Sequence, residues 1–222
     1  MEDVNDWYEL MKDIVNKNQQ GYLKPAMFNR FINQAQDSYQ SFLLGTFQSY
    51  INGRPIAKVE LGNNAIVRQR ISPTIKAVTL TIAADGTANY PTNFIQSDSM
   101  LTAANKRIRL VQQDSLDAYY NSSIDPIATN PIYLIQDSNF QFYPITLGTA
   151  KFTFVQKAIR IVWGYTLDGN NRPIYSIGTS VQPVWDSVAK FEIISRALKL
   201  VGINLQSSAV IQLANQTLSV GQ

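Results

Sequence analysis

The sequence predicts an α+β protein in which helices from both ends of the chain form a bundle, with an antiparallel β domain inserted between them. Three observations lead to this. Apolar residues recur at helical spacing near both ends, they alternate with polar residues in the middle, and turn-forming residues separate the alternating runs. The predicted organisation is an N-terminal helical hairpin over residues 1–50, a β-rich domain over 51–180, and C-terminal helices over 181–222 that complete the bundle.

Two helices are predicted at the N-terminal end. The first has its apolar side chains on one face, at Val4, Trp7, Tyr8, Met11, Ile14 and Val15. The second begins at Pro25, which suits the first turn because its missing N–H would have no helical partner there. We expect this helix to end at Gly45, since glycine adopts the left-handed conformation that ends many helices.

From about residue 54 to residue 166 the apolar period changes from helical spacing to two. Five strands are predicted, at 76–82, 106–112, 131–136, 140–145 and within 151–165. Turn signals such as Asp85-Gly86 and the run Asp168-Gly169-Asn170-Asn171 separate these segments.

Helical spacing returns after Pro183. The expected apolar face carries Val184, Val188, Phe191, Ile194, Leu198 and Val201. Gly202 is expected to end this helix, and a last helix is predicted from about Ser207 to Leu218.

The composition excludes several kinds of chemistry. The 222-residue chain contains neither cysteine nor histidine, which excludes disulfides, the usual zinc sites and His-based nucleophile systems. Charged residues make up 16% of the chain and the net charge is +3, too weak for a dedicated DNA-binding protein. We therefore predict no catalytic residue, no cofactor and no metal site.

Three patterns have the outline of a chemical site. Residues 16–27 match the spacing of a calcium loop around Gly21, but no carboxylate stands among the expected ligands and Met27 occupies the last position. Asp114 and Asp117, followed by Asp125, could act as paired carboxylates, although capping of a turn is the simpler interpretation.

The third pattern is basic and could form a nucleic-acid face. Its side chains are Lys58, Arg68, Arg70, Lys76, Lys106, Arg107 and Arg109. However, aromatic residues do not alternate with these basic residues. Proteins that bind single-stranded nucleic acid use such aromatic residues to stack on the bases.

Aromatic residues in a chain with few charges are typical of protein–protein contacts. Tyr119, Tyr120, Phe140, Phe142 and Tyr143 are predicted to be exposed. The predicted interface residues are Phe140, Phe142, Tyr143, Trp185, Phe191, Leu205, Ile211 and Leu218.

The first residues, MEDVNDWYEL, are acidic and amphipathic and lack the basic start and apolar run of a signal peptide. Apolar runs are also too short to span a bilayer. We expect a protein that is made and assembled in the cytoplasm and has no membrane partner.

Four segments resemble structural proteins of crAss-like and related Bacteroidetes-infecting phages. They are VNKNQQGYLKPAMFNRFINQAQDSYQSFLLG (15–45), YPTNF (90–94), NPIYLIQDSNFQFYPI (130–145) and VWDSVAKFEIISRALKLVGINLQSSAVIQLANQ (184–216). The similar proteins are head-to-tail connector components, of the adaptor or tail tubular protein A type, also called ring proteins. The run after Tyr165 departs from the Pro- and Trp-containing segment usual in that family.

The resemblance implies a virion protein at the portal vertex. It implies a homo-oligomeric ring, commonly of twelve copies, with the portal protein and an adjacent tail ring or tail tube as partners. Genomic DNA would pass through the lumen without specific binding. Within this interpretation, the C-terminal helices and the following tail are assigned to ring or portal packing, and the β-loops to the adjacent tail ring.

Two other functions compete with this one. The chain could be another virion component, such as a tail-tube, stopper or capsid-associated protein. It could also be a small hydrolase that uses Asp114 and Asp117.

Overall fold

The computed structural model of the protein describes residues 3–17, 22–49, 58–120 and 125–202. These residues form a mixed α+β structure with five helices and several antiparallel sheets. They divide into two compact units. One takes the residues up to 73 together with those from 158 onward, and the other comprises residues 74–157.

The first unit contains four of the five helices and a short hairpin. The helices are α1 (Val4–Lys17), α2 (Pro25–Ser49), α3 (Lys58–Ile71) and α5 (Ser187–Leu200). The hairpin pairs two three-residue strands, here numbered β8 (Tyr165–Leu167) and β9 (Pro173–Tyr175). The predicted first helix and the predicted start of α2 at Pro25 are confirmed.

Helices α2 and α5 pack against each other although they come from opposite ends of the described chain. Trp185, just before α5, donates from its indole to Gln36 Oε1 (3.0 Å) and contacts the ring of Tyr39 edge-on. The carboxylate of Asp186 caps α5 by accepting a hydrogen bond from the Ala189 N–H at 2.9 Å. Gly202 follows the helix with a φ of +89°, which confirms the predicted stop.

The buried face of α5 differs in part from the predicted one. The buried side chains are Ala189, Ile193, Ile194, Ala197 and Leu198, whereas Val188 and Phe191 are exposed. The expectation that Val188 and Phe191 belong to the buried face is therefore wrong. The buried face therefore combines two alanines with Ile193, Ile194 and Leu198, and it excludes the larger Phe191.

The second unit consists of two small sheets and a short helix. The first sheet has the order β1-β7-β3, from strands β1 (Ile75–Thr81), β3 (Phe94–Thr102) and β7 (Thr149–Gln156). The second has the order β2-β6-β5-β4, from β2 (Thr87–Asn89), β4 (Arg109–Leu110), β5 (Ile132–Ile135) and β6 (Asn139–Tyr143). The short helix is α4 (Leu116–Tyr120).

Aromatic side chains from both sheets form the core of the second unit. Phe140 of the second sheet meets Phe152 of the first, with ring centroids 5.0 Å apart. Phe142, Phe154 and Tyr133 are buried in the same cluster. Each large side chain in such a core contributes roughly 1.5–3 kcal/mol by leaving water, so this cluster is the main attraction between the two sheets.

Three further expectations about secondary structure are wrong. Helix α2 continues past Gly45 to Ser49, and α3 occupies part of the region predicted to be β. Within 106–112 only Arg109–Leu110 forms a strand, and it pairs in parallel with β5. The predicted helix at 207–218 lies outside the described residues.

Candidate functional site

The aromatic residues predicted to be exposed on β6 are mostly internal. Phe140 and Phe142 are fully buried, so the expectation that they are exposed is wrong. Successive residues of a strand face opposite sides of a sheet, so Phe140 and Phe142 share one side, which faces the core. Tyr143 is half-buried, and its ring meets the exposed ring of Tyr120 edge-on at 5.6 Å. Tyr119, next to Tyr120, is also half-buried, so the predicted aromatic surface is reduced to tyrosines at the end of β6 and in α4.

The predicted interface residues near the C-terminus have different positions. Trp185 is buried between α2 and α5, where its indole is hydrogen-bonded. Phe191 is 66% exposed on the outer side of α5, together with Val188 at 59%. Leu205, Ile211 and Leu218 lie outside the described residues. Phe191 is thus the predicted residue whose exposure best suits contact with another chain.

A groove of about 520 Å³ runs between α2 and α5. Side chains from both helices line it, including Gln34, Ser38, Glu192, Arg196 and Leu200. Amide, hydroxyl and charged groups alternate here with apolar surface. Such a mixture suits the polar rim and apolar patches of a protein contact.

Arg196 is held in a fixed position at this groove. Its guanidinium donates to Glu192 Oε1 at 2.9 Å and to Ser38 Oγ at 3.2 Å. The same group lies over the rings of Tyr39 and Phe42, at 5.8 and 5.0 Å from their centroids. Arginine stacked in this way loses little further entropy when it contacts a partner. The exposed Phe42 and the anchored Arg196 therefore form a preorganised patch.

A row of side-chain amides on α2 holds the extended segment 158–163, which we call the amide ladder. Its members are Asn29, Asn33, Gln36 and Gln40, at helix spacings of four, three and four residues. Each makes at least one hydrogen bond to the backbone of that segment. The rise of four helical residues, about 6.0 Å, is close to the rise of two extended residues, about 6.6 Å. The match applies to the step from Asn29 to Asn33, which reach Trp163 and Ile161. Gln36 continues the alternation at Ile159, whereas Gln40 reaches the adjacent Ala158.

The ladder explains why residues 158–163 do not form a sheet strand. The sequence predicts a strand here because Ile159, Ile161 and Trp163 alternate with polar residues. In the structure, Asn29 accepts from Trp163 N at 2.8 Å and donates to Trp163 O at 3.2 Å. Val162 adds one isolated antiparallel bridge, to Val181. The extended geometry is therefore present, but side chains replace a neighbouring strand.

Sequence reasoning missed the amide ladder, although a signal was available. Gln36 and Gln40 are buried on the same helix as Ile32 and Leu43. A polar residue within an apolar stripe requires a partner, because an unpaired buried amide costs roughly 1–3 kcal/mol. Regularly spaced amides within the apolar stripe therefore indicate a backbone segment packed beside the helix.

The basic residues assemble only in part. Lys106, Arg107 and Arg109 line one surface hollow of about 680 Å³ on the second unit, while Ile108 between them is buried. Arg68 and Arg70 lie on α3 and Lys76 lies on β1. Residues 74–157 carry six basic and six acidic side chains, so the hollow belongs to a unit without net charge. Three cations give a weak phosphate-binding surface by comparison with dedicated DNA-binding proteins.

Carboxylates are not gathered into a site within the described residues. Asp114 is exposed in a 3-10 turn and accepts a hydrogen bond from Ser115 at 3.2 Å. Asp117 lies in the first turn of α4, where the helix dipole favours negative charge. No group of three or more acidic side chains in the described ranges is placed to hold a metal ion. Residues 18–21 of the calcium-loop pattern lie outside those ranges.

No protein-family model matches the chain, and no curated protein is significantly similar to it. Among the helices that the structure describes, none combines the length and apolar character needed to cross a bilayer.

Proposed function

We propose that the chain is the subunit of a head-to-tail connector ring in a phage virion. The ring would join the portal protein to an adjacent tail ring or tail tube. We further propose twelve copies in the ring, located at the portal vertex after assembly in the host cytoplasm. Genomic DNA would pass through its lumen without specific binding.

One structural observation carries most of this proposal. The two longest segments that resemble ring proteins, 15–45 and 184–216, include most of α2 and all of α5, and these helices pack together in one unit. The pair exposes Phe42 on α2, and Val188 and Phe191 on α5. Large apolar side chains exposed on a helix pair are the expected form of a surface that another subunit covers.

We also propose the finer fold description, a helical bundle with an inserted β domain. The described helices of the first unit would form the bundle, and residues 74–157 would be the insertion. The unit boundaries at 73 and 158 fall inside the β-rich region predicted at 51–180, because α3 is helical and residues 158–163 pack along α2.

The physical demands of a ring agree with this composition. A closed ring requires a heterologous interface, in which two different surfaces of one subunit meet. The chain has 18 asparagine and 18 glutamine residues, and those at the surface give it polar character with little charge, which would hold DNA weakly. The amide ladder would give the bundle rigidity without charged groups.

Electron microscopy of the purified full-length protein tests ring formation directly. We expect ring-shaped particles, alone or with purified portal protein. A protein that stays monomeric at about 10 μM, with portal present or absent, would contradict the proposal. Its subunit contact would then have a Kd above the micromolar range, which corresponds to a binding free energy of less than about 8 kcal/mol. A reconstruction of the virion separates the connector from a tail-tube or stopper protein by whether the density touches the portal.

A matched pair of substitutions tests the role of the α5 surface. Phe191→Ser removes an exposed apolar side chain from α5, and Ile177→Ser does the same at a 3-10 turn of the first unit. We expect Phe191→Ser alone to reduce ring yield, by about tenfold or more for an anchor residue. Equal ring yields from the two variants would remove Phe191 from the proposed interface.

A further inference from the structure

Strand β1 leaves one edge of its backbone unpaired. It is an outer strand of its sheet and pairs with β7 over seven consecutive residues. Ile82, just after the strand, donates to Gly148 O at 3.0 Å. This bond shows which residues of β1 direct their backbone N–H and C=O groups toward β7 and which direct them away. Backbone groups of even-numbered residues therefore point to β7, and those of Ile75, Ala77, Thr79 and Thr81 point away. Ala77, Thr79 and Thr81 make no hydrogen bond through this outward edge within the described part of the chain.

The other outer strand of the same sheet is protected by two features. The pairing of β3 with β7 shifts twice, between Phe94 and Gln96 and between Ser97 and Ser99. The chain also folds back beside β3, with Ile108 N donating to Met100 O at 2.9 Å. Bulges and covering segments are devices that prevent edge pairing. Beside β1, the described chain folds back just past the end of the strand, where Ala83 N donates to Thr87 O at 2.8 Å. Strand β1 has no register shift and no proline or glycine, and its residues 76–79 are exposed.

We propose that β1 is a contact strand through which two copies of this chain pair antiparallel, with Val78 opposite Val78 of the second copy. This register places Ile75 opposite Thr81 and Ala77 opposite Thr79. All seven residues of each strand then have a partner, and the outward groups form about eight hydrogen bonds. The result is a continuous six-stranded sheet across a twofold axis.

Side-chain chemistry favours a second copy in this register. The exposed Val78 side chains, each 40% exposed, would meet each other across the axis as a β-branched pair. Lys76, the one charged residue of β1, would face Leu80 of the other strand. The two Lys76 residues are then offset by four residues, about 13 Å along the strand, which exceeds the screening length of about 8 Å at physiological salt. A register centred on Lys76 would instead place two like charges opposite each other.

This contact goes beyond the proposed ring and does not depend on it. A β1–β1 contact is isologous, whereas ring closure needs a heterologous interface. The two contacts can therefore be present or absent separately, and experiments can distinguish them.

Disulfide cross-linking tests the register. The natural chain has no cysteine, so Val78→Cys introduces a single thiol. A non-hydrogen-bonded antiparallel pair has a Cα separation of about 4.5 Å, which lies within the disulfide range. Ile95→Cys is the control, because Ile95 is 42% exposed on β3 of the same sheet. In a glutathione redox buffer at low micromolar protein, we expect about tenfold more covalent dimer from Val78→Cys, equivalent to about 1.4 kcal/mol. Equal yields from the two variants would overturn the proposal.

A proline substitution gives a second, independent test. Thr79→Pro removes an N–H that points to the open edge, so it spares the ladder with β7. We expect sedimentation velocity to show loss of the dimer while the far-ultraviolet circular dichroism spectrum is unchanged. Thr79→Pro should also abolish cross-linking by Val78→Cys. A dimer that persists in Thr79→Pro refutes the β1 contact. If Thr79→Pro forms rings but no β1 dimer, the ring does not depend on the β1 contact. If Val78→Cys forms the covalent dimer but no rings are found, the β1 contact is supported and the ring proposal is not.

Discussion

The side-chain amide of Asn33 pairs with both backbone groups of Ile161. Its Oδ1 accepts from Ile161 N at 2.9 Å, and its Nδ2 donates to Ile161 O at 2.7 Å. Ile161 is fully buried, so its backbone groups are shielded from much of the solvent that could otherwise satisfy them. An asparagine on a helix therefore does here what a neighbouring strand does in a sheet.

Asn33→Ala is expected to destabilise the protein by about 2–3 kcal/mol, because it leaves the Ile161 N–H and C=O without their partner. Urea unfolding followed by circular dichroism measures the change. Gln34→Ala is the control, since Gln34 is exposed on the next position of α2 and should change stability by less than about 0.5 kcal/mol. Equal midpoints for the two variants would show that the ladder does not stabilise the fold.

The spacing of apolar residues is sufficient to predict the buried side chains of an element that buries one of its own faces. Trp7 and Met11 share the buried face of α1, and Phe152 and Phe154 alternate on β7. The sequence pattern predicts both buried faces correctly. The same rule applied to β6 would have placed Phe140 and Phe142 inside, since Gln141 stands between them.

Periodicity cannot identify the hydrogen-bond partner of an extended segment. Ile161 and Trp163 are buried as the alternation predicts, but their backbone partners are Asn33 and Asn29 of a helix 128 and 134 residues earlier. Helix α3 was missed for another reason. Its sequence, KVELGNNAIVRQRI, contains Gly62, two asparagines and no clear apolar stripe, so its local preference for a helix is weak.

The candidate contact surface was predictable only in part. Phe191 was identified, but as a member of the buried stripe as well as an interface residue, because hydrophobicity alone does not say which side of a helix meets its neighbour. Arg196 was not identified, since its importance depends on Ser38 and Phe42 of α2. Contacts between distant parts of the chain are not encoded in local spacing.

Trp185→Phe and Trp7→Phe form a matched pair that isolates one hydrogen bond. Both indoles are buried, but Trp185 Nε1 donates to Gln36 and Trp7 Nε1 has no partner among the described residues. We expect Trp185→Phe to cost about 1–2 kcal/mol more, because it also leaves Gln36 Oε1 unpaired in the interior. Guanidinium unfolding of the two variants measures the difference. An equal loss of stability would mean that the Trp185–Gln36 bond contributes nothing beyond packing.

Stability should fall at alkaline pH because tyrosines are buried. Burial raises the pKa of Tyr8, with smaller rises from Tyr22 and Glu9, and burial also raises the pKa of Tyr39 and Tyr133. The folded state therefore favours the protonated phenol. The protonated tyrosines therefore add to the free energy of unfolding. This stabilisation is fully present below the unfolded pKa of about 10 and is lost as pH rises above that value.

Tyr8→Phe tests this dependence at a single site. The variant loses the hydrogen bond from Tyr8 to Leu23 O, so we expect about 1 kcal/mol lower stability at pH 7. Between pH 9 and pH 11, however, its stability should fall less steeply than that of the natural protein. Thermal unfolding at a series of pH values gives both slopes. Parallel curves would show that Tyr8 does not contribute to the alkaline loss.

Gly164 is predicted to tolerate no side chain. A Cβ added there would lie 2.5 Å from the backbone carbonyl of Thr179, and backbone cannot rotate away as a flexible side chain can. Gly164→Ala should therefore destabilise the protein by about 2 kcal/mol or more, through overpacking at the close approach of residues 164 and 179. Gly178→Ala is the control, because a Cβ at that position meets nothing within 4 Å. Gly178→Ala should leave stability unchanged or raise it by up to about 1 kcal/mol, because alanine restricts the conformations of the unfolded chain more than glycine does. If the melting temperatures of the two variants agree, the two segments are not packed as closely as described.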